Sequence, residues 1–248
     1  MILRRYFGVA LSVVLLAGYL PLQAQFHIDI ETGVVFSGYN DVRIPNATGT
    51  LISLSEELET DPTVFYRVRV GYRFKERHLI SALFAPLTLE SQGQVNRTVH
   101  FEGQDFAPNT SLDALFRFNS YRLTYRYALH NSNRLTIGIG LTGKIRDAEV
   151  RLTGGSAESK KTNVGFVPLI NFAFYWRFAR TVGFSLTGDA AAASQGRAED
   201  VLAALIYQAT PRLRIKLGYR LLEGGADVDE VYNFTWLNYV VGGLTFTF

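Results

Sequence analysis

The fold class this sequence predicts is all-β: an antiparallel, up-and-down transmembrane β-barrel of ten strands, with eight as the alternative. Three observations predict it. Apolar and polar residues alternate with period two along most of the chain. The connections between alternating runs are short and long in turn. Aromatics are abundant, with 18 Phe and 13 Tyr, yet no segment after the first two dozen residues is a long, purely apolar run.

The N-terminal segment reads as a targeting signal. MILRRYF is a short basic start, GVALSVVLLAGYLPL an apolar core, and LQAQ supplies Ala24 before Gln25. The apolar run is shorter than the roughly 20 residues a membrane helix needs. The expectation is a signal peptide over 1–24 and a barrel domain over 25–248, with an uncleaved anchor as the alternative. Without Arg4 and Arg5, the 25 basic residues become 23 against 22 acidic ones. That near-neutral balance does not argue for nucleic acid or acidic substrates. The chain has no cysteine, which excludes zinc–thiolate sites and disulfide frameworks.

The strands follow in order. Runs are expected over 26–40, 63–75, 78–90, 112–129, 134–153, 162–178, 182–194, 201–209, 213–223 and 232–248. In YRVRVGYRF, Tyr66, Val68, Val70, Tyr72 and Phe74 share one face, and Arg67, Arg69 and Arg73 the other. YRLTYRY repeats this, with Tyr121, Leu123, Tyr125 and Tyr127 opposite Arg122, Thr124 and Arg126. RLTIGIGLTGK and LRIKLGYRL alternate in the same way. The runs at 78–90 and 201–209 are apolar on both faces, which keeps the eight-strand count open. The large apolar residues fit a lipid-facing surface with aromatic girdles, and the arginine-rich face fits a polar interior. A sheet in lipid must pair all its backbone groups, so it has to close.

Short connections are KERH (75–78), HNSN (130–133), ARTV (179–182) and TPR (210–212). Longer ones are expected at Asp41–Pro62, Ser91–Ser111, Gly154–Lys161, Gln195–Asp200 and Gly224–Glu230. Barrels of the bacterial outer membrane have short periplasmic turns and longer outside loops. On that pattern both termini are periplasmic and the protein is integral to the outer membrane.

The chain ends GLTFTF, with Leu244, Phe246 and Phe248 on one face. Here it resembles outer-membrane β-barrel proteins, whose last strand ends in an aromatic residue read by the barrel-assembly machinery. That resemblance implies an assembly signal at Leu244, Phe246 and Phe248. The segments KIRDAEVRL and LLEGGADVDEVYNF are similar to those of an uncharacterised family of such barrels, which offers no activity to carry over. The partners expected are outer-membrane lipids including lipopolysaccharide, and the assembly machinery. The state expected is a monomer.

Parity sends a set of charges inward: Asp29, Glu31, Arg67, Arg69, Arg73, Arg122, Arg126, Lys144, Arg146, Arg177, Asp189, Arg214, Lys216 and Arg220, with Glu90. Such charges must pair or be hydrated. In a closed barrel the first strand lies beside the second, so Asp29 and Glu31 are expected to meet Arg69 and Arg73. The expected result is a polar plug, and the alternative is a narrow path for small solutes or ions. A second group falls toward the long loops: Asp147, Glu149 and Arg151, then Arg197, Glu199 and Asp200, then Glu223, Asp227, Asp229 and Glu230. This rim reads as a solvated, salt-bridged surface, with an ion or partner site as the alternative. DVDE lacks the glycine and distant glutamate of an EF-hand, so no metal is assigned.

GIGLTG matches G-x-G-x-x-G at Gly138, Gly140 and Gly143, but a dinucleotide site needs a helix opening there. Alternation instead runs straight on into KIRDAEV, so no cofactor is expected. Interleaved Arg and Tyr lie on opposite strand faces, which excludes a single-stranded nucleic-acid surface. In barrel size the chain resembles outer-membrane lipid A deacylases and omptin proteases, whose histidine-containing sites lie toward the outer surface or outer leaflet. His130 and Ser132 echo the deacylases' His-x-Ser-Asn run but sit in a short turn at the opposite end, so that activity is not carried over. An outer-surface hydrolase would have to use His100 with rim carboxylates, and no motif supports it. The function expected is therefore non-enzymatic: a structural or surface-interaction role for a plugged barrel.

Overall fold

Each alternating run finds a neighbour on both sides, and the sheet closes on itself. The structure is a computed structural model that describes residues 25–248, so the segment read as a signal peptide lies outside the described residues. In chain order the strands are β1 (Gln25–Arg43), β2 (Ile52–Ser53), β3 (Leu58–Thr60), β4 (Thr63–Phe74), β5 (His78–Ala85), β6 (Thr88–Gln94), β7 (Val99–Phe101) and β8 (Gln104–Phe106). They continue with β9 (Ser111–Asn131), β10 (Leu135–Gly154), β11 (Ala157–Trp176), β12 (Val182–Ala193), β13 (Gly196–Gln208), β14 (Leu213–Val228) and β15 (Val231–Thr247).

Strands β5 and β6 lie in line against β9, in one register from His78↔Tyr127 to Gln94↔Ser111, and form a single wall strand. With β1, β4 and β9–β15 they make ten antiparallel wall strands. Strand β1 joins the ends, pairing β15 through Ile28↔Phe246 and β4 through Ile28↔Val70. The expected ten strands are present, and both runs that looked doubtful, 78–90 and 201–209, belong to the wall.

Outward-facing residues form a continuous apolar band. Val64 is 74 % exposed, Leu141 69 % and Phe166 71 %, exposures that only a lipid surround makes favourable. Aromatic rings cluster near the band's edges. Phe26, Tyr72, Phe74, His78 and Tyr127 run from neighbour to neighbour at one end, with centroids 4.8 to 5.9 Å apart. Tyr66, Phe84 and Tyr121 run on in the same way toward the other.

Three connections expected to be long are tight hairpins. Strands β10 and β11 turn at Gly155–Ser156, β12 and β13 at Ser194–Gln195, and β14 and β15 at Asp229–Glu230. The strands continue past the apolar band with polar residues on both faces, which reads as loop because the alternation disappears while the pairing persists.

The two long connections are folded. Residues 44–62 and 95–110 build a cap at the loop end, where β2 pairs β1 and β3 pairs β6. Strands β7 and β8 form a hairpin across Glu102 and Gly103, both at positive φ (44° and 78°), as a type I′ turn requires. The connections bond to each other through Thr50 N–H to His100 O (2.9 Å) and Glu102 N–H to Ile44 O (2.9 Å). Ile44, Ile52, Leu54 and Leu58 of the first pack with Val95, Val99, Phe101 and Phe106 of the second. All are buried, against Leu89, Leu112, Phe116 and Leu152 of the wall. Burying side chains of this size contributes roughly 1.5–3 kcal/mol each.

Candidate functional site

Period-two geometry turns the inward positions of nine wall strands toward one another, and their charges interlock at mid-barrel. Asp200 of β13 is the hub. It accepts from Arg67 Nη2 at 2.9 Å, lies 2.6 Å from Arg122 Nη2, and pairs with Arg220. Glu31 accepts from Arg220 Nη2 (2.6 Å) and Lys216 Nζ (3.0 Å), with Arg67 Nε 3.6 Å away. Asp29 takes Lys216 Nζ at 2.7 Å and the Thr245 hydroxyl at 2.6 Å. Asp189 accepts from Arg122 Nη1, Thr142 Oγ1 and Asn171 Nδ2, each at 2.7 Å.

This network is neutral. Asp29, Glu31, Asp189 and Asp200 are matched by Arg67, Arg122, Lys216 and Arg220, and all but Lys216 are buried. Partner hydrogen bonds offset the desolvation that isolated charges would suffer. The register puts Asp29 opposite Arg69 and Glu31 opposite Arg67. Yet Asp29 turns to Lys216 on β14 rather than to Arg69, and Glu31 draws most of its contacts from there too, so the pairing expected with Arg69 and Arg73 does not form. Arg69 instead donates to Ser81 Oγ at 3.3 Å.

A cavity lies on each side of the network. The turn-end cavity, about 400 Å³, is lined by Arg69, Arg73, Arg126 and Arg214 with His27. The loop-end cavity, about 370 Å³, is lined by Lys144, Arg146, Arg122 and Arg197, by Asp189, Glu199, Asp200 and Glu223, and by apolar residues. The two linings share Asp189 and Asp200, both members of the network.

Several predicted residues sit elsewhere. Asp200, read as part of the rim, is the centre of the interior, because β13 begins at Gly196 and its even-numbered residues face inward. Arg177, read as inward, lies beyond the end of β11 in a turn with Arg134 and Arg180; inward parity has no meaning once the strand has ended. Glu90 faces outward and is exposed, since β6 continues the odd-inward parity of β5.

The rim residues form separate pairs. Asp147 and Glu149 are on the outer face of β10, bridged by Arg117 of β9 (3.3 and 3.0 Å), and Arg151 also holds Glu149 at 2.6 Å. Glu223 is covered by Arg197 (2.7 Å) and accepts from the Tyr39 hydroxyl. Asp227 accepts from Asn46 Nδ2 at 2.6 Å. Glu199 is exposed on β13, while Asp229 and Glu230 occupy the β14–β15 turn. Among the described residues no group of three His, Cys, Asp or Glu is placed to hold a metal.

His100 stands on the β7–β8 hairpin and pairs with Asp105, not with a rim carboxylate. His130, at the end of β9, and Ser132 of the β9–β10 turn contact each other at 3.2 Å, and Ser132 Oγ donates to Leu135 O (3.0 Å). This is turn chemistry. Gly138 and Gly140 lie within the continuous strand β10. A Cβ at Gly140 would stand 2.0 Å from the Tyr125 carbonyl oxygen, and one at Gly138 2.9 Å from Arg126 Cδ, so these glycines make room for β9 rather than for a phosphate.

The closed ten-strand barrel, its lipid-exposed band and its charged interior decide the class. The chain is a transmembrane β-barrel of the outer-membrane type. No protein-family model and no curated protein matches the sequence. Among solved structures, it superposes on the outer-membrane protease OmpT from Escherichia coli with a TM-score of 0.58 at 10% identity, covering 90% of this chain and 97% of that one. OprG from Pseudomonas aeruginosa gives 0.39 at 12% identity over 91% and 96% of the two chains. Ail from Yersinia pestis gives 0.38 at 12% over 90% and 99%. At 10% identity the likeness to OmpT is one of fold.

Proposed function

We propose that this barrel is a closed, non-enzymatic outer-membrane protein whose work is done by its folded cap, displayed at the cell surface for interaction with other molecules. The neutral charge network across mid-barrel carries this reading. It joins nine of the ten wall strands and contributes Asp189 and Asp200 to the linings of both cavities. A structure built to conduct would leave that cross-section hydrated. The cap supports the same reading, since two loops with a shared apolar core present a defined surface instead of a mobile fringe. The His100 N–H bond to Thr50 Oγ1 fits a latch between the loops.

In this reading the chain resides in the outer membrane as a monomer, with both termini and the short turns in the periplasm. Leu244 and Phe246 on β15, and Phe248 just beyond its end, are exposed, where assembly machinery can read them, and lipopolysaccharide surrounds the loop end. The absence of cysteine from the sequence gives a clean test. Ala47→Cys in the cap should react with a membrane-impermeant maleimide on intact cells, and Asn133→Cys in the β9–β10 turn should react only after the outer membrane is opened. The reverse pattern would invert the topology. A second reading, a narrow anion path, is favoured by Arg69, Arg73, Arg126 and Arg214 in the turn-end cavity, and it requires the network to open.

A further inference from the structure

The ladder of the wall lapses at two places, and each has a proline, which has no N–H to give. At the first, β4 pairs β5 only between Val68↔Phe84 and Phe74↔His78, and Pro86 lies just beyond. There the free edge of β6 is occupied by β3, through Leu58↔Gly93 to Thr60↔Ser91, and a void of only about 10 Å³ remains. At the second, β11 pairs β12 only between Ile170↔Ala190 and Trp176↔Phe184, with Pro168 two residues beyond. From Leu169 to Ala157, β11 has no strand on that side among the described residues, although its other edge is paired to β10 up to Gly154↔Ala157. Among the described residues no segment fills this seam as β3 fills the first.

The seam opens within the apolar band, since Val164, Phe166 and Ile170 all project outward and are exposed. Unpaired backbone at that depth is tolerated where it lines a cavity, and the loop-end cavity of about 370 Å³ lies directly behind it. That volume is in the usual range of ligand pockets, roughly 300–1,000 Å³. Val167, Leu169, Ala191, Leu222 and Phe118 give it apolar walls. Lys144 lies at its inner end and is 4 % exposed. Its ammonium rests over the Phe118 ring at 4.6 Å and has no carboxylate partner among the described residues, whereas its neighbour Arg122 is held by Asp189 and Asp200. Arg146, next along the same inward face, donates to Asn163 Oδ1 at 2.6 Å and likewise has no carboxylate partner there. Of the carboxylates at the mouth, Glu223 is held by Arg197, and Glu199 is on the outward face of β13.

We propose that this chamber binds a single-chain amphiphile with a carboxylate head, a fatty acid, reaching it sideways from the surrounding lipid through the β11–β12 seam. The head would meet Lys144 and Arg146, and the chain would lie along Val167, Leu169 and Ala191 toward the seam. An unpaired buried cation calls for an anion, and an apolar passage open to lipid selects one that carries a hydrocarbon tail. The site goes beyond the closed-barrel reading and does not depend on it, because ligand can enter and leave on the same side of the network.

The test uses the full barrel in phosphatidylcholine nanodiscs with a diazirine-bearing fatty acid as the probe. Photolysis and peptide mapping should place adducts on residues 164–169 and 190–196. Dodecanoate should compete and dodecanol should not. Lys144→Met should weaken competition by dodecanoate about tenfold, as expected for loss of a charge-assisted contact. Ala191→Phe, which fills the chamber, should abolish the local adducts, and heat-modifiable gel migration reports whether each variant has folded. Adducts spread evenly around the outward face, equal competition by the alcohol, or folded variants that label like wild type would overturn the proposal.

Discussion

Arg122 and Asp189 are 67 residues apart in the chain and meet at 2.7 Å in the middle of the barrel, each almost wholly removed from solvent. Arg122 grips Asp200 with its other terminal nitrogen at 2.6 Å. One guanidinium thus ties β9 to both β12 and β13 across the lumen.

That geometry makes Arg122 a keystone for stability. Arg122→Ala leaves two carboxylates short of a partner in the interior, and breaking a buried pair from one side costs about 3–5 kcal/mol. Urea unfolding in detergent, followed by loss of heat-modifiable migration, should shift by that amount. An unchanged midpoint would mean that water already screens the pair.

Asp200→Asn should act through charge as well as stability. It removes the carboxylate charge shared by Arg67, Arg122 and Arg220, leaving the network with one positive charge in excess. The variant should be destabilised on the same order, about 3–5 kcal/mol, and its stability should recover in part with added salt. Salt-independent stability would argue against an unpaired charge.

The cap should come loose without the barrel. Phe101 is 1 % exposed in the cap core, and Phe→Ala changes in a packed core cost about 3–5 kcal/mol. Phe101→Ala should make residues 44–62 and 95–110 sensitive to protease while heat-modifiable migration stays unchanged. Loss of both together would make cap and barrel one cooperative unit.

Acid should loosen the cap through Glu57. Hydrogen bonding from Arg97 holds its carboxyl below the usual value of 4.5. The folded-state pKa is depressed, so the stabilisation is fully present above about pH 4.5 and is lost as pH falls through the lower, folded value. Hydrogen-exchange protection factors in residues 51–60 should fall below pH 4.5, and Glu57→Gln should show low protection at neutral pH. A pH-independent pattern in wild type would remove Glu57 from the account.

Much of the fold was legible because a strand's period is two and a barrel has only two faces. Tyr66, Val68 and Val70 against Arg67, Arg69 and Arg73 settles which side meets lipid without any knowledge of partners. Parity fails where the strand's extent is unknown, which is why Asp200 looked like rim and Arg177 like lumen. It also cannot say which inward charges meet, since that depends on the stagger that carries Lys216 of β14 past β15 to Asp29 of β1. Asn171 and Thr142 were missed, although a lone Asn in LINFAFYW is a visible sign of a buried polar contact. The cap left no period to read: its strands are two or three residues long, and its core is assembled from two connections some forty residues apart.

If the neutral network closes the lumen as proposed, single-channel recording of the purified barrel in planar bilayers tests it most directly. Wild type should insert without ohmic steps. Stable open-channel conductance in wild type, with selectivity altered by Arg69→Gln, would contradict it.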